Sequence, residues 1–107
     1  MHVRVARFEG IDTSRLDEDY EAFRRMVRAT ERPEFMPEDV FETLRSRVRR
    51  VMSLADREAG VTLDLTFTDN EDDALRVHQA LDSLTPPEGA GRRTSVQTFE
   101  LMLDEQL

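Results

Sequence analysis

The chain has 107 residues, of which 36% are charged and 38% are apolar, and it contains neither cysteine nor lysine. Disulfides, thiolate catalysis and Schiff-base chemistry are therefore excluded on this chain. The net charge of −8 at pH 7 disfavours nucleic acids and anionic membrane surfaces as partners, and the length predicts one domain over residues 1–107.

The first part of the chain predicts a strand followed by a long and a short helix. Residues 3–9 are rich in β-forming side chains and indicate the strand. Capping oxygens follow in residues 12–14, and apolar or neutral side chains then recur at helical spacing, namely Leu16, Tyr20, Phe23, Val27 and Thr30. We expect Pro33 to end this helix and Pro37 to begin the second. The second helix carries a stripe of Val40, Phe41, Leu44 and Val48.

A β-hairpin is the most regular feature of the sequence. Its second strand alternates between apolar side chains at odd positions (Val61, Leu63, Leu65, Phe67) and polar ones at even positions (Thr62, Asp64, Thr66, Thr68). A period of two places these sets on opposite faces, so the pattern predicts a strand whose apolar face packs on a core. Residues 48–54 supply the first strand, and Gly60 can adopt the positive φ that the turn needs.

The last part of the chain predicts one more helix and one more strand. Asn70 caps the helix, whose buried stripe is Ala74, Val77, Leu81 and Leu84. Pro86 and Pro87 end it, residues 88–91 form a flexible connection, and residues 94–103 form the strand. The order β-α-(short α)-β-β-α-β indicates an α+β, ferredoxin-like fold with a four-stranded antiparallel sheet and helices on one face.

Both faces of the first and last predicted strands are apolar, which predicts that both faces of the sheet are covered. In the first strand, for example, Val3 and Val5 point to one side and Ala6 and Phe8 to the other. Helices can cover only one face, so we expect a homodimer that packs sheet to sheet, with the tail beyond Phe99 reaching across.

No apolar run approaches the roughly 20 residues of a membrane span, and residues 1–4 show no signal-peptide pattern, so we expect a cytoplasmic protein that does not bind membranes.

Several segments resemble an actinobacterial group of the dimeric α/β-barrel superfamily, which includes the antibiotic-biosynthesis monooxygenases. The resemblance lies in residues 4–10 (RVARFEG), 55–60 (ADREAG), 74–76 (ALR) and 94–100 (TSVQTFE), whereas residues 32–50 depart from the family pattern. It implies two ferredoxin-like domains paired into a barrel. It also implies that a small apolar molecule is bound or oxidised without a cofactor: an acidic C–H group is deprotonated in a dry pocket, and the carbanion reduces dioxygen.

Four side chains are candidates for the base or hydrogen-bond donor of that chemistry: Arg7, Tyr20, Asp64 and His78. Each also has an ordinary structural explanation. Tyr20 lies on the core stripe of its helix, and Asp64 and Arg7 can pair with each other or with the partner subunit. The expected ligand pocket lies between sheet and helices and is lined by Tyr20, Phe23, Phe67 and Leu81.

Two other functions remain open from the sequence. Haem-degrading members of the superfamily carry an iron-ligating histidine on the last helix, so haem binding through His78 is one alternative. Those enzymes also have a tryptophan and an asparagine in the pocket, whereas this chain has no tryptophan and its Asn70 lies at a helix start. A non-enzymatic structural or regulatory dimer is the other alternative. The spacing of the two histidines predicts no metal site.

Overall fold

The computed structural model describes residues 1–29, 31–85 and 89–107. In these ranges a short 3₁₀ turn (Thr13–Arg15) accompanies the elements β1 (His2–Glu9), α1 (Leu16–Arg28), α2 (Glu38–Arg47), β2 (Val48–Asp56), β3 (Val61–Thr68), α3 (Glu71–Asp82) and β4 (Arg92–Glu100). The strands form one antiparallel sheet in the order β2-β3-β1-β4. The predicted α+β class and four-stranded antiparallel sheet are thus confirmed, and the topology is compatible with a ferredoxin-like fold.

Local signals in the sequence act as expected at three element ends. The Asp12 carboxylate accepts a hydrogen bond from the backbone N–H of Ser14 at 3.1 Å, and the Asn70 side chain accepts one from the N–H of Asp73 at 2.8 Å. Both bonds satisfy N–H groups that a helix leaves without internal partners. Gly60 ends the hairpin turn with φ +69°, a conformation that glycine adopts at low cost.

Other predicted bounds differ from the structure. Helix α1 ends at Arg28, well before Pro33, and Val48 begins β2 instead of completing the stripe of α2. Strand β4 ends at Glu100, not at residue 103, because its partner β1 begins at His2 and offers no further backbone to pair with. The predictions for Thr30, Pro86, Pro87 and Glu88 lie outside the described residues.

The two faces of the sheet have opposite characters. Even-numbered side chains of β1 and β3 face the helices, since Arg4 bonds to His78 of α3 and Asp64 bonds to Tyr20 of α1. We call this the helix face. The other face, which carries no helix, is the open face, and its apolar members are Val3, Val5, Met52, Leu54, Leu63, Leu65, Phe67 and Phe99.

The helices cover the opposite side of β3 from the one predicted. Thr62, Thr66 and Thr68 are only 4%, 8% and 1% exposed, so the polar side of the strand lies beneath the helices. The apolar side, expected on that core, belongs to the open face. The core under α3 is made of small residues, with Ala6, Ala74 and Val77 at 1%, 1% and 0% exposure, and small side chains allow the helix to pack closely on threonines.

The C-terminal tail, residues 101–107, lies across part of the open face. The N–H of Leu101 donates to the carbonyl of Met1 at 2.9 Å, and Asp104 reaches to 4.0 Å from the guanidinium of Arg50 on the opposite edge strand. Arg50 also covers the ring of Phe67 at 5.5 Å. Beneath this crossing Val3 and Phe67 are buried, whereas Leu54 and Phe99 stay 49% exposed. No described helix is long and apolar enough to span a membrane.

Candidate functional site

Polar side chains fill the centre of the layer between sheet and helices. On the two central strands they are Arg4, Thr62, Asp64, Thr66 and Thr68. A buried polar group costs free energy unless it is hydrogen-bonded, so such a layer is less stable than an apolar one of the same shape. Two clusters stand out within it, one around Arg4 and one around Asp64.

The first cluster joins β1 to α3 through a buried cation. Arg4 is 5% exposed, and its Nε donates to Nδ1 of His78 at 3.2 Å. Burial lowers the pKa of Arg4, and the positive charge of Arg93 lowers it further, while the charges of Asp82 and Asp64 act in the opposite direction. Because arginine starts from so high a value, it stays protonated, and a positive charge lies beneath the helices.

The two carboxylates that influence Arg4 are engaged elsewhere. Asp82 accepts a hydrogen bond from Nη2 of Arg93 at 2.5 Å, and this bond holds the pKa of Asp82 below its usual value. Asp64 accepts from Tyr20 and from a serine of β2. In the described part of the chain, no carboxylate lies within ion-pair distance of the Arg4 guanidinium. Its charge is therefore balanced only at longer range.

The second cluster joins α1 to β2 and β3. The Tyr20 hydroxyl donates to Oδ1 of Asp64 at 3.0 Å, and the Ser53 hydroxyl donates to the same oxygen at 2.9 Å. Ser53 and Asp64 are directly opposite each other in the sheet, which fixes their approach. Burial raises the pKa of Tyr20 and the charge of Asp64 raises it further, so the phenol stays protonated and remains a donor.

The two clusters are close neighbours on the sheet. Arg4 pairs with Thr66, and Ala6 with Asp64, so Arg4 and Asp64 are diagonal neighbours on one face of the sheet, about 7–8 Å apart at Cα. Beside them the apolar side of α1 is not packed against the sheet: Phe23 and Val27 follow Tyr20 at i+3 and i+7 and are 38% and 49% exposed. The arrangement offers a fixed cation, a carboxylate able to accept a proton, and an apolar surface.

The remaining predicted site residues lie apart from these clusters. Arg7 is on the open face, where it makes a loose ion pair with Glu9 at 3.7 Å, so it does not pair with Asp64. Phe67 is also on the open face, and the structure therefore does not bring it to the surface that carries Tyr20 and Phe23. Leu81 is half-buried on α3.

Sequence reasoning missed Arg4. The signal was present: Arg4 shares its face of β1 with Ala6 and Phe8, an unusual neighbourhood for a charge on a strand. Within the alternating run of residues 3–5, however, a charged side chain normally indicates a solvated face. Only the position of α3 above β1 makes the residue buried.

His78 is placed poorly for the haem alternative. Arginine nitrogens only donate, so Nδ1 of His78 must accept, and the neutral ring then carries its proton on Nε2. An axial iron ligand needs a nitrogen lone pair, and here one is occupied and the other nitrogen is protonated. A haem iron would therefore compete with Arg4 for His78, and haem binding through His78 stays an alternative. Among the described residues, no group of three or more histidine, aspartate or glutamate side chains is able to hold a metal ion.

Comparison with known proteins adds no family to this geometry. No family model matches the chain, and no curated protein matches it either. The two polar clusters and the open face therefore carry the functional proposal.

Proposed function

We propose that the protein is a homodimer of the monooxygenase-like α/β-barrel type that binds a small molecule between its sheet and its helices. The open face carries this proposal. Leu54 and Phe99, on the two edge strands, are 49% exposed, and half-buried valine, methionine and leucine side chains lie between them. Larger apolar patches on a protein surface mark interaction sites. Burial contributes about 25 cal/mol for each Å² of apolar surface, so covering this face favours association.

A second copy of the chain is the partner that best fits this face. A twofold contact places the same apolar patch on both sides, and it needs no other protein. The tail adds apolar side chains that have no use in a monomer: Met102 and Leu103 are 81% and 75% exposed. The tail also carries Asp104 and Glu105, while Arg7 is a half-exposed arginine on the open face. These charges are complementary between two copies.

The mass of the particle in solution tests this part of the proposal. Light scattering at micromolar concentration should report twice the 12.4 kDa of one chain. A stable particle of one chain mass would contradict the homodimer, because Leu54, Phe99 and the other uncovered apolar side chains of the open face would then remain in contact with water.

The resemblance to monooxygenases supplies the chemistry, and Asp64 is the group in the layer best suited to it. Its carboxylate would take a proton from an acidic methylene, held in place by Tyr20 and Ser53. The carbanion would reduce dioxygen, so that the methylene becomes a carbonyl and the second oxygen atom leaves as water. Apolar side chains of α1, such as Phe23, would hold the body of the substrate.

Oxygen uptake with anthrone, which has an acidic methylene, tests this chemistry. The wild-type protein should speed uptake above the buffer rate, and Asp64→Asn should remove the gain while leaving the homodimer intact. Equal uptake by both proteins would contradict a role for Asp64 as base. A dimer that neither binds nor oxidises any small molecule would instead support the non-enzymatic alternative.

A further inference from the structure

We infer that the molecule bound between sheet and helices is an organic acid, and that its carboxylate binds the guanidinium of Arg4. This inference rests on the proposed small-molecule site and names the class of compound that the site takes. It does not depend on whether the compound is then oxidised. Four observations carry it: the free donors of Arg4, the lack of an anionic partner, a neighbouring hydroxyl, and the role of His78.

The Arg4 guanidinium has donors to spare. Its Nε is used by His78, and no other hydrogen bond of this side chain exists within the described residues. The Nη1 and Nη2 groups form an edge with parallel N–H bonds, which matches the two oxygens of a carboxylate. In the described ranges, the only fully buried side-chain nitrogen or oxygen without a hydrogen bond is Nδ1 of His2. The Nη groups therefore keep a little contact with solvent, and the acid would approach them from that side.

The charge balance around Arg4 favours an anion. A buried charge is costly unless a partner compensates it. Asp82 is held by Arg93, and Asp64 by Tyr20 and Ser53. A bound carboxylate would supply the missing direct partner without breaking either arrangement.

Thr66 adds a second contact for the same group. It lies directly opposite Arg4 on β3, it is 8% exposed, and its hydroxyl has no hydrogen-bond partner among the described residues. A hydroxyl in this position is able to donate to a carboxylate oxygen that the guanidinium leaves open. Arg4 and Thr66, on two neighbouring strands, would thus both donate hydrogen bonds to the carboxylate of the acid.

His78 acts as a positioning residue. By accepting from Nε it restricts the rotation of the guanidinium and leaves both Nη groups free to donate. A surface depression of about 610 Å³ borders His78, but Arg4 does not line it, and its lining includes Glu71, Asp72 and Glu100, which disfavour an anion. The acid is therefore expected at the Nη groups of Arg4 and not in this depression.

Binding of matched acids and amides tests the inference. We would titrate the dimer with benzoate, phenylacetate and 1-naphthoate, and with the corresponding amides, by calorimetry and by NMR of the arginine Nε–Hε groups. Each acid should bind about tenfold or more tightly than its amide, since a charge-assisted pair is lost in the amide. The Arg4 Nε–Hε signal, assigned with Arg4→Lys, should shift with the acids.

An arginine outside both the open face and the acid site provides the matched control. Arg4→Met should remove the preference for acids and leave the amides bound as before, whereas Arg76→Met, at an exposed ion pair with Asp72 on α3, should change neither. His78→Gln, whose side-chain carbonyl is able to accept from Nε, should keep most of the preference that His78→Leu loses. If Arg4→Met does not fold, the wild-type comparison of acids with amides and the Nε–Hε shift still decide the question.

The outcomes separate this inference from the proposed function. Equal binding of acids and amides, or a preference that survives in Arg4→Met, would overturn the acid site while leaving a small-molecule site in place. A dimer that binds amides but no acid at millimolar concentration would overturn it as well. A monomer that binds none of the compounds would contradict the proposed function itself.

Discussion

Each face of the sheet holds side chains whose polarity and burial do not match. On the helix face, Thr68 is 1% exposed and Arg4 5%, although both are polar. On the open face, Leu54 and Phe99 are 49% exposed, although both are apolar. A chain that folded only to bury its apolar surface would place these sets the other way round.

These side chains indicate that each face lacks a different kind of partner. The open face lacks a partner, because its apolar side chains gain free energy only when another surface covers them. The helix face holds a buried cation without an anionic partner and a threonine hydroxyl without a hydrogen-bond partner among the described residues. Departures of this kind from the usual pattern concentrate at functional or strained sites.

The largest effect that we expect comes from a charge on the open face. Leu54→Glu should weaken the homodimer by about 100-fold or more, because burying an unpaired carboxylate at an interface in both copies costs a few kcal/mol. Sedimentation or light scattering over a range of concentrations measures the change.

Leu75→Glu is the matched control for that variant. Leu75 lies on α3 and is 54% exposed, close to the 49% of Leu54, so both substitutions remove a similar amount of packing. The control should remain a dimer, and both monomers should keep their fold. Equal dissociation by the two variants would mean that general destabilisation, and not the open face, controls assembly.

A smaller effect distinguishes two threonines of the helix face. The Thr68 hydroxyl lies 3.3 Å from the carbonyl oxygens of His2 and Asn70, so Thr68→Val removes a hydrogen bond and should cost about 1 kcal/mol. The Thr66 hydroxyl has no such partner, and Thr66→Val should therefore stabilise the protein by about 0.5–1 kcal/mol. Urea unfolding followed by circular dichroism compares the two.

The same pair of variants connects stability to the acid site. If Thr66 is kept for a ligand, Thr66→Val should gain stability and lose affinity for benzoate, whereas Thr68→Val should do neither. Destabilisation by both valines would show that the polar layer serves packing alone.

Local chemistry made much of this fold predictable. The alternation in residues 61–68, the Asn70 cap and Gly60 each depend on neighbours within a few residues, so the sequence is sufficient to place them. The end of β4 depends on a distant partner, since it is set by where β1 begins. For that reason residues 101–103 look like strand and are not.

The assignment of faces in β3 and the role of Arg4 failed for one physical reason. Alternation reports which side of a strand is apolar, but the crossover connections decide which side receives the helices. Here they cover the threonines, and so they also bury Arg4. The partnership of Tyr20 and Asp64, by contrast, joins two residues that the sequence already singled out, yet 44 positions separate them and no local pattern pairs them.

The smallest effect concerns Tyr20 and reports directly on the polar layer. It is the only tyrosine of the chain, so absorbance near 295 nm follows its ionisation alone. Burial and the charge of Asp64 both raise its pKa in the folded state, so the folded protein should titrate above the ordinary value of about 10. Because the folded pKa is raised, the contribution of the protonated phenol to stability is fully present below the unfolded pKa, and it is lost as the pH rises through the folded pKa.

Asp64→Asn should lower the midpoint of the Tyr20 titration only in part, because burial is the larger cause of the raised pKa. A midpoint unchanged by Asp64→Asn would mean that the carboxylate does not act on the phenol, and an ordinary midpoint in the wild type would mean that α1 does not hold Tyr20 against the sheet.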